Sequence, residues 1–95
     1  MSDMTFEEKN RILGEFDDMC ILLADGYEDA LVGYIDDYNG EIRAVYDRVK
    51  CIDILMNRDG MTEEEAIEWF EYNTLGAYDG RGNNPVYLTR FEDIV

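Results

Sequence analysis

The clearest hydrophobic pattern of the chain lies between residues 62 and 73. Thr62 stands three positions before Glu65, a spacing at which the two side chains can satisfy backbone N–H groups at the start of a helix. Apolar and aromatic residues follow at Ala66, Ile67, Trp69, Phe70 and Tyr72, so the pattern predicts a helix over residues 62 to 73. A loop is expected from Leu75 to Asn84, because this segment contains three glycines and two asparagines.

Two further helices are predicted from their N-terminal capping residues. Thr5 and Glu8 have the same capping spacing, and the apolar positions that follow them predict a helix over residues 5 to 16. Asp47 is a suitable N-cap for a helix over residues 48 to 58, which has a broad apolar face and is followed by an Asp-Gly pair that ends it.

A β-hairpin is predicted over residues 30 to 46, which are rich in β-branched and aromatic residues on both sides of Asn39 and Gly40. An Asn-Gly pair supplies two residues that tolerate positive φ, as a two-residue type I′ turn requires. The Val-Tyr-Leu segment at residues 86 to 88 adds a short strand to this hairpin. The periodicity does not decide the structure of residues 17 to 29.

The predicted order α, β, β, α, α, β indicates an α+β fold. We expect a small antiparallel sheet covered on one face by the two helices at residues 48–58 and 62–73. The chain contains no internal repeat, no low-complexity tract and a single proline. It is therefore interpreted as one domain over residues 1 to 95, with an N-terminal extension over about 1–20 and a core over about 25–88.

The charge balance narrows the possible partners. The chain has 8 Lys and Arg against 23 Asp and Glu and no histidine, which gives a formal net charge of −15. Nucleic acids and anionic lipids are bound through Lys and Arg, so we expect neither direct nucleic-acid binding nor membrane binding, and the partner is expected to be basic. A hydrophobic content of 46% indicates a folded domain rather than an acidic disordered tail.

The first residues carry neither the basic region nor the apolar region of a signal peptide. The longest apolar run, residues 19 to 24, is far too short to cross a bilayer. The predicted location is therefore the cytoplasm, which is the host cytoplasm if the protein is encoded by a phage.

Catalytic chemistry finds little support in the residue types present. Without histidine and with one serine, at position 2, the chain cannot form a hydrolase triad. A calcium-binding loop aligned on Gly40 or Gly60 places apolar or aromatic residues at ligand positions. Cys20 and Cys51 are interpreted as core residues. We therefore predict no catalytic residues, no metal site and no cofactor.

An acidic row on the last helix is the first candidate for partner binding. Its members, Glu64, Glu68 and Glu71, are spaced i, i+4 and i+7, so they follow one side of a helix at intervals of about 6 and 4.5 Å. Glu68 and Glu71 have no Lys or Arg one helical turn away to offset them. Such a row approximates the charges of a nucleic-acid strand, spaced about 3.4 Å apart. The alternative is a merely solvated helix face.

Tyrosine is the second candidate feature, because seven tyrosines are more than so small a core can bury. Exposed tyrosines among carboxylates suit a protein interface, where their rings contact Arg side chains. The turn and loop residues Tyr38 and Tyr78 are the predicted interface tyrosines, together with the neighbouring acids Asp36 and Asp37. Half-buried positions on the sheet are the alternative for Tyr34 and Tyr46.

Several segments resemble a family of small uncharacterised acidic proteins of phages and prophages. The similarity runs over roughly residues 25 to 88, and the segments that carry it are Asp25 to Gly33, Ala44 to Asp47, Cys51 to Leu55, Met61 to Asn73 and Gly76 to Tyr78. The resemblance implies a common fold and supplies no catalytic residues.

In size and charge alone, the chain is also similar to anti-CRISPR and anti-restriction proteins that mimic nucleic acid. The leading hypothesis is therefore an inhibitor without catalytic activity that binds a basic host protein, such as a CRISPR effector or a restriction nuclease. The alternative is a regulatory or host-takeover adaptor that binds a protein through tyrosines and a sheet edge.

Overall fold

The computed structural model describes residues 4–15, 21, 23–24, 26–37, 41–77 and 84–94. In chain order its helices and strands are α1 (Phe6–Leu13), β1 (Leu31–Asp37), β2 (Glu41–Asp47), α2 (Arg48–Asp59), α3 (Glu63–Ala77) and β3 (Val86–Leu88). Short 3-10 turns lie at Glu28–Ala30 and Phe91–Asp93. The predicted α+β fold class is confirmed. No helix in the described part of the chain has both the length and the apolar composition needed to cross a bilayer.

The sheet has the strand order β1, β2, β3, with β2 in the centre. β1 and β2 are antiparallel, as the hairpin predicts. β3 is parallel to β2, with Val45 opposite Val86, so the prediction of an antiparallel sheet is wrong for this strand and the sheet is mixed. A tight turn forces its two strands to be antiparallel, whereas the connection between β2 and β3 includes two helices and is long enough for a parallel pair.

The hairpin register differs by one residue from the predicted one. A two-residue turn at Asn39 and Gly40 would place Asp37 opposite Ile42. In the structure Asp37 lies opposite Glu41, and the turn itself lies outside the described residues. Asn-Gly sequences also suit longer hairpin connections that need positive φ, so this signal locates a hairpin without fixing its register.

α1 begins where the capping pattern predicts and ends earlier. The Thr5 hydroxyl accepts a hydrogen bond from the Glu8 N–H at 3.2 Å, and the Glu8 carboxylate accepts one from the Thr5 N–H at 3.0 Å. The predicted helix over residues 5 to 16 nevertheless ends at Leu13, with Gly14 as its C-cap. Glycine has a low helix propensity because its backbone loses the most conformational freedom on ordering.

α2 lies between a buried aspartate and a glycine in the left-handed conformation. Asp47 Oδ1 accepts hydrogen bonds from the N–H groups of Val49 at 3.0 Å and Lys50 at 3.3 Å. Gly60, with a φ of 69°, follows the last residue of the helix. Both boundaries confirm the helix predicted over residues 48 to 58. The observed helix is longer than the predicted one by one residue at its C-terminal end.

Replacing Gly60 by alanine is expected to lower the free energy of unfolding by about 1 kcal/mol. A side chain has space there, but the left-handed conformation is strained for any residue with a Cβ. Gly14 provides the matched control, since it also follows a helix but has a φ of −63°, which alanine adopts without strain. Thermal unfolding should show a lower melting temperature for Gly60→Ala than for the parent, and no decrease for Gly14→Ala. Equal melting temperatures for the two variants would contradict the role of Gly60.

α3 has the second predicted capping box and is longer than expected. The Thr62 N–H donates to the Glu65 carboxylate at 2.9 Å, and the Glu65 N–H donates to the Thr62 hydroxyl at 3.2 Å. The predicted helix over residues 62 to 73 continues to Ala77, so the expectation of a loop is wrong for residues 75 to 77. The predicted loop residues 78 to 83 lie outside the described residues. Leucine and alanine are strong helix formers, and the single glycine between them costs only about 1 kcal/mol.

The core lies between one face of the sheet and the helices. Tyr46, at the centre of the sheet, is fully buried, and its hydroxyl accepts a hydrogen bond from the Ala24 N–H at 2.9 Å. The ring of Phe70 meets the rings of Tyr27 and Tyr87 edge to face, at centroid distances of 5.8 and 5.0 Å. Other buried members of this cluster are Leu13, Ala30, Leu31, Ala44, Cys51, Ile52, Leu55 and Ala66. Ala66 and Phe70 therefore define the inward side of α3.

Candidate partner-binding surface

The acidic row of Glu64, Glu68 and Glu71 lies on α3, and all three residues are exposed. Glu64 and Glu68 are one helical turn apart on the side directed away from the core. Neither residue has an ion-pair partner among the described residues. Two of the three predicted carboxylates are therefore available to a partner.

Glu71 differs from the other two because it has a cationic partner within the protein. Its Oε2 atom lies 3.0 Å from Nη2 of Arg48, at the start of α2. This pair could not be predicted from the sequence, since the two residues are separated by 23 positions and meet only when α2 packs on α3. The expectation that the charge of Glu71 is not offset is wrong, and the available row is reduced to Glu64 and Glu68.

Two exposed aromatic side chains lie on the same side of α3 as these glutamates. Tyr72 is 80% exposed and Trp69 is 50% exposed, although both belong to large residue types that usually bury much of their surface. Neither residue is among the interface residues predicted from the sequence. The signal was present, because a helix that buries Ala66 and Phe70 must direct position 72 outward. We call Glu64, Glu65, Glu68, Trp69 and Tyr72 together the outer face of α3.

The charge of Glu65 within the outer face is fixed by its own capping interaction. Hydrogen bonds from the backbone N–H and then from the hydroxyl of Thr62 lower the pKa of the Glu65 carboxyl. The residue is exposed, so its carboxylate stays accessible while it caps the helix. The outer face thus presents three carboxylates and two aromatic rings.

Two of the remaining predicted interface residues, Asp36 and Asp37, lie on β1 and not on the outer face of α3. Asp36 is exposed on β1, opposite Ile42, and Asp37 ends the same strand. The inward side of α3 packs on α2 and on the core, so the outer face is directed away from the core and these strand residues are not part of it. Tyr38 and Tyr78 lie outside the described residues.

β1 forms an edge of the sheet and exposes apolar side chains. Val32, Tyr34 and Ile35 are between 38% and 45% exposed. The Lys9 ammonium group of α1 donates to the Leu31 carbonyl at the start of this strand, at 2.5 Å. A lysine at an edge strand discourages pairing with another chain, and here it lies at the first residue of the strand.

A shallow groove of about 700 Å³ lies between α2 and the loop before β1. Acidic and basic residues both line it, among them Asp53 and Lys50. Arg58, also at the groove, donates to the Gly26 carbonyl at 2.9 Å and to the Asp59 carboxylate at 3.1 Å. The Arg58 side chain therefore links the loop to α2, and we interpret the groove as the boundary between these two packed segments.

Cys51 is a core residue, as predicted, and has no exposed surface. Burial raises the pKa of its thiol to about 12, and the nearby charge of Asp47 adds to the effect. The reactive thiolate is therefore disfavoured at neutral pH. Cys20 lies outside the described residues. Within the part of the chain that the structure describes, no three acidic or cysteine side chains are grouped so that they could hold a metal ion.

Comparison with protein-family models, with curated proteins and with solved structures finds no match to this chain. The candidate site is therefore defined by the surface itself, in which carboxylates and aromatic rings lie on one side of a helix.

Proposed function

We propose that the protein is an inhibitor without catalytic activity, of the kind that phages encode. In this proposal it binds the basic nucleic-acid-binding surface of a host defence protein, such as a CRISPR effector or a restriction nuclease. The observation that carries the proposal is the outer face of α3, where Glu64 and Glu68 have no cationic partner among the described residues. The net charge of −15 also supports it.

The physical basis is competition for the same cations. A basic channel that holds nucleic acid attracts any strongly negative surface and increases the rate at which it is encountered. A protein with a net charge of −15 is repelled by nucleic acid and attracted by the surfaces that bind nucleic acid. Binding of this kind weakens steeply as the salt concentration rises, because salt screens exposed charges.

The double variant Glu64→Gln with Glu68→Gln tests the proposed interface. We expect its melting temperature to be unchanged or slightly higher, because two like charges one helical turn apart repel each other. Its affinity for the partner should fall roughly fivefold, since two exposed ion pairs of about 0.5 kcal/mol each contribute about 1 kcal/mol together. Glu71 is left in place, because replacing it would also remove the partner of Arg48.

The measurement starts from a host protein that the immobilised chain retains at low salt. Fluorescence anisotropy then follows labelled DNA bound to that purified partner while the parent or the variant is added. The control variant is Glu92→Gln with Asp93→Asn, which removes two acidic charges from the exposed 3-10 turn near the C-terminal end of the described chain. Displacement of DNA by the parent and the control, with weaker displacement by the double variant, supports the proposal. A complex that holds DNA and the protein together contradicts it.

A second function, a protein-binding adaptor, is favoured by the exposed apolar residues of β1. An edge strand with exposed Val32 and Ile35 can receive a strand of another protein. The substitution Ile35→Asp should abolish binding by this route, and the affinity should hardly depend on salt. That pair of results would favour the adaptor over the inhibitor.

A further inference from the structure

One arginine of the chain, Arg48, contacts both a carboxylate and an aromatic ring of α3. Nη2 of Arg48 lies 3.0 Å from the Glu71 carboxylate. The guanidinium carbon of the same side chain lies 5.9 Å from the centroid of the Phe70 ring. A planar guanidinium can do both at once, because it donates in its plane and presents a flat surface to the ring.

The outer face of α3 contains two further pairs of a carboxylate and a ring. Glu68 precedes Tyr72 by four residues, and Glu65 precedes Trp69 by four residues, so each carboxylate lies one helical turn from its ring. Both rings are exposed, and neither contacts a cation or another ring among the described residues. The two pairs are adjacent on the helix, and neither is occupied by a cation of the described chain.

We propose that the outer face of α3 binds arginine side chains of its partner, so that arginine-rich surfaces are preferred to lysine-rich surfaces of equal charge. This inference depends on the proposed function and specifies the chemistry of the partner. A lysine ammonium group can pair with Glu68 or Glu65, but it is a compact and strongly hydrated charge. An arginine can pair with the carboxylate and stack on Tyr72 or Trp69 in the same position.

The test uses oligo-arginine and oligo-lysine peptides of equal length, each labelled with the same fluorophore. Their affinities for the full chain are measured by anisotropy in the same buffer. We expect the arginine peptide to bind about fivefold to thirtyfold more tightly, because cation–π contacts at two exposed rings contribute about 1 to 2 kcal/mol together. The tryptophan fluorescence of the chain should also change with the arginine peptide, since Trp69 is its single tryptophan.

Two variants assign the preference to the rings. Trp69→Leu and Tyr72→Leu should each reduce affinity for the arginine peptide about threefold to fivefold while leaving affinity for the lysine peptide nearly unchanged. Phe91→Leu is the matched control, because Phe91 is an aromatic residue that is 85% exposed and belongs to the 3-10 turn at Phe91–Asp93. Circular dichroism confirms that each variant retains the helical content of the parent.

The outcomes separate this inference from the function on which it depends. If both peptides bind equally and both lose affinity in the Glu64→Gln, Glu68→Gln variant, the arginine preference is wrong and the acidic interface is retained. If each peptide binds the parent and that variant with the same affinity, the outer face is not an interface and both proposals fail. A preference for arginine that persists in both ring variants also overturns the inference, because it would then arise elsewhere.

Discussion

Replacing Asp47 by alanine is expected to lower the free energy of unfolding by about 2 to 3 kcal/mol, and the melting temperature by roughly 10 to 20 °C. Asp47 is 3% exposed and accepts two backbone hydrogen bonds at the start of α2. Loss of such a cap costs about 1 to 2 kcal/mol. Its other oxygen lies 3.2 Å from Nε of Arg90, and loss of this charged hydrogen bond adds about 1 kcal/mol.

Two milder variants separate the cap from the ion pair. Asp47→Asn keeps an oxygen at the cap but replaces the oxygen that accepts from Arg90 by an NH2 group, so it should cost about 1 kcal/mol. Arg90→Ala keeps the cap and removes a side chain that is 47% exposed, so its cost should lie below about 1 kcal/mol. Urea unfolding measures all three changes. If Asp47→Ala costs no more than Asp47→Asn, the hydrogen bonds at the start of α2 do not have the assigned role.

The domain is expected to lose stability as the pH rises from about 9 to about 12. The pKa of the Cys51 thiol is raised from its ordinary value of 9.0 to about 12, chiefly by burial. In this interval the unfolded chain releases the thiol proton while the folded chain retains it, so the unfolded state is favoured. The stabilisation is fully present below pH 9 and falls by about 1.4 kcal/mol per pH unit, or about 4 kcal/mol by pH 12.

Tyr87 makes the fall steeper at the alkaline end of this interval. Burial raises the pKa of its phenol from 10.0 to about 12, so its contribution begins to decrease only above pH 10. Between pH 9 and pH 10 the thiol of Cys51 therefore dominates the difference between the two states. A loss of about 4 kcal/mol is large for a small domain, whose total stability is of the order of 5 to 15 kcal/mol.

Cys51→Ala distinguishes the thiol from other causes of alkaline unfolding. At pH 7 this variant should be less stable than the parent by about 1 kcal/mol, because it leaves a small cavity. Between pH 9 and pH 10 its free energy of unfolding should decline less than that of the parent, as measured by urea unfolding at each pH. Equal declines in the two proteins would exclude Cys51 as the source.

Local signals in the sequence predicted the parts of the fold that depend on neighbouring residues. Thr5 and Thr62 each cap a helix through a glutamate three positions later, and Asp47 caps α2 by contacts within three residues. These interactions are complete within one turn of helix, so spacing alone is sufficient to recognise them. The short strand at Val86–Leu88 was also predicted with its observed bounds.

Features that depend on packing were not available from the sequence. The pairing of Arg48 with Glu71 and the parallel direction of β3 both require knowledge of how α2 and α3 lie against the sheet. The exposure of Trp69 and Tyr72 is an intermediate case. Large aromatic residues are usually buried, so residue type alone predicts burial for both. They are exposed because Ala66 and Phe70 occupy the side of α3 that faces the core.

The parallel pairing of β3 with β2 has a consequence for the order in which the domain assembles. β1 and β2 are close in sequence, whereas Val45 and Val86 are about 40 residues apart, so their pairing closes a much longer loop and is expected to occur later. Until then one edge of the central strand is unpaired, and Val45, which is 6% exposed in the folded protein, lacks its cross-strand neighbour Val86. An open, apolar strand edge is the part of a folding chain most prone to pair with another molecule. The strong negative charge of every copy keeps such chains apart during this interval.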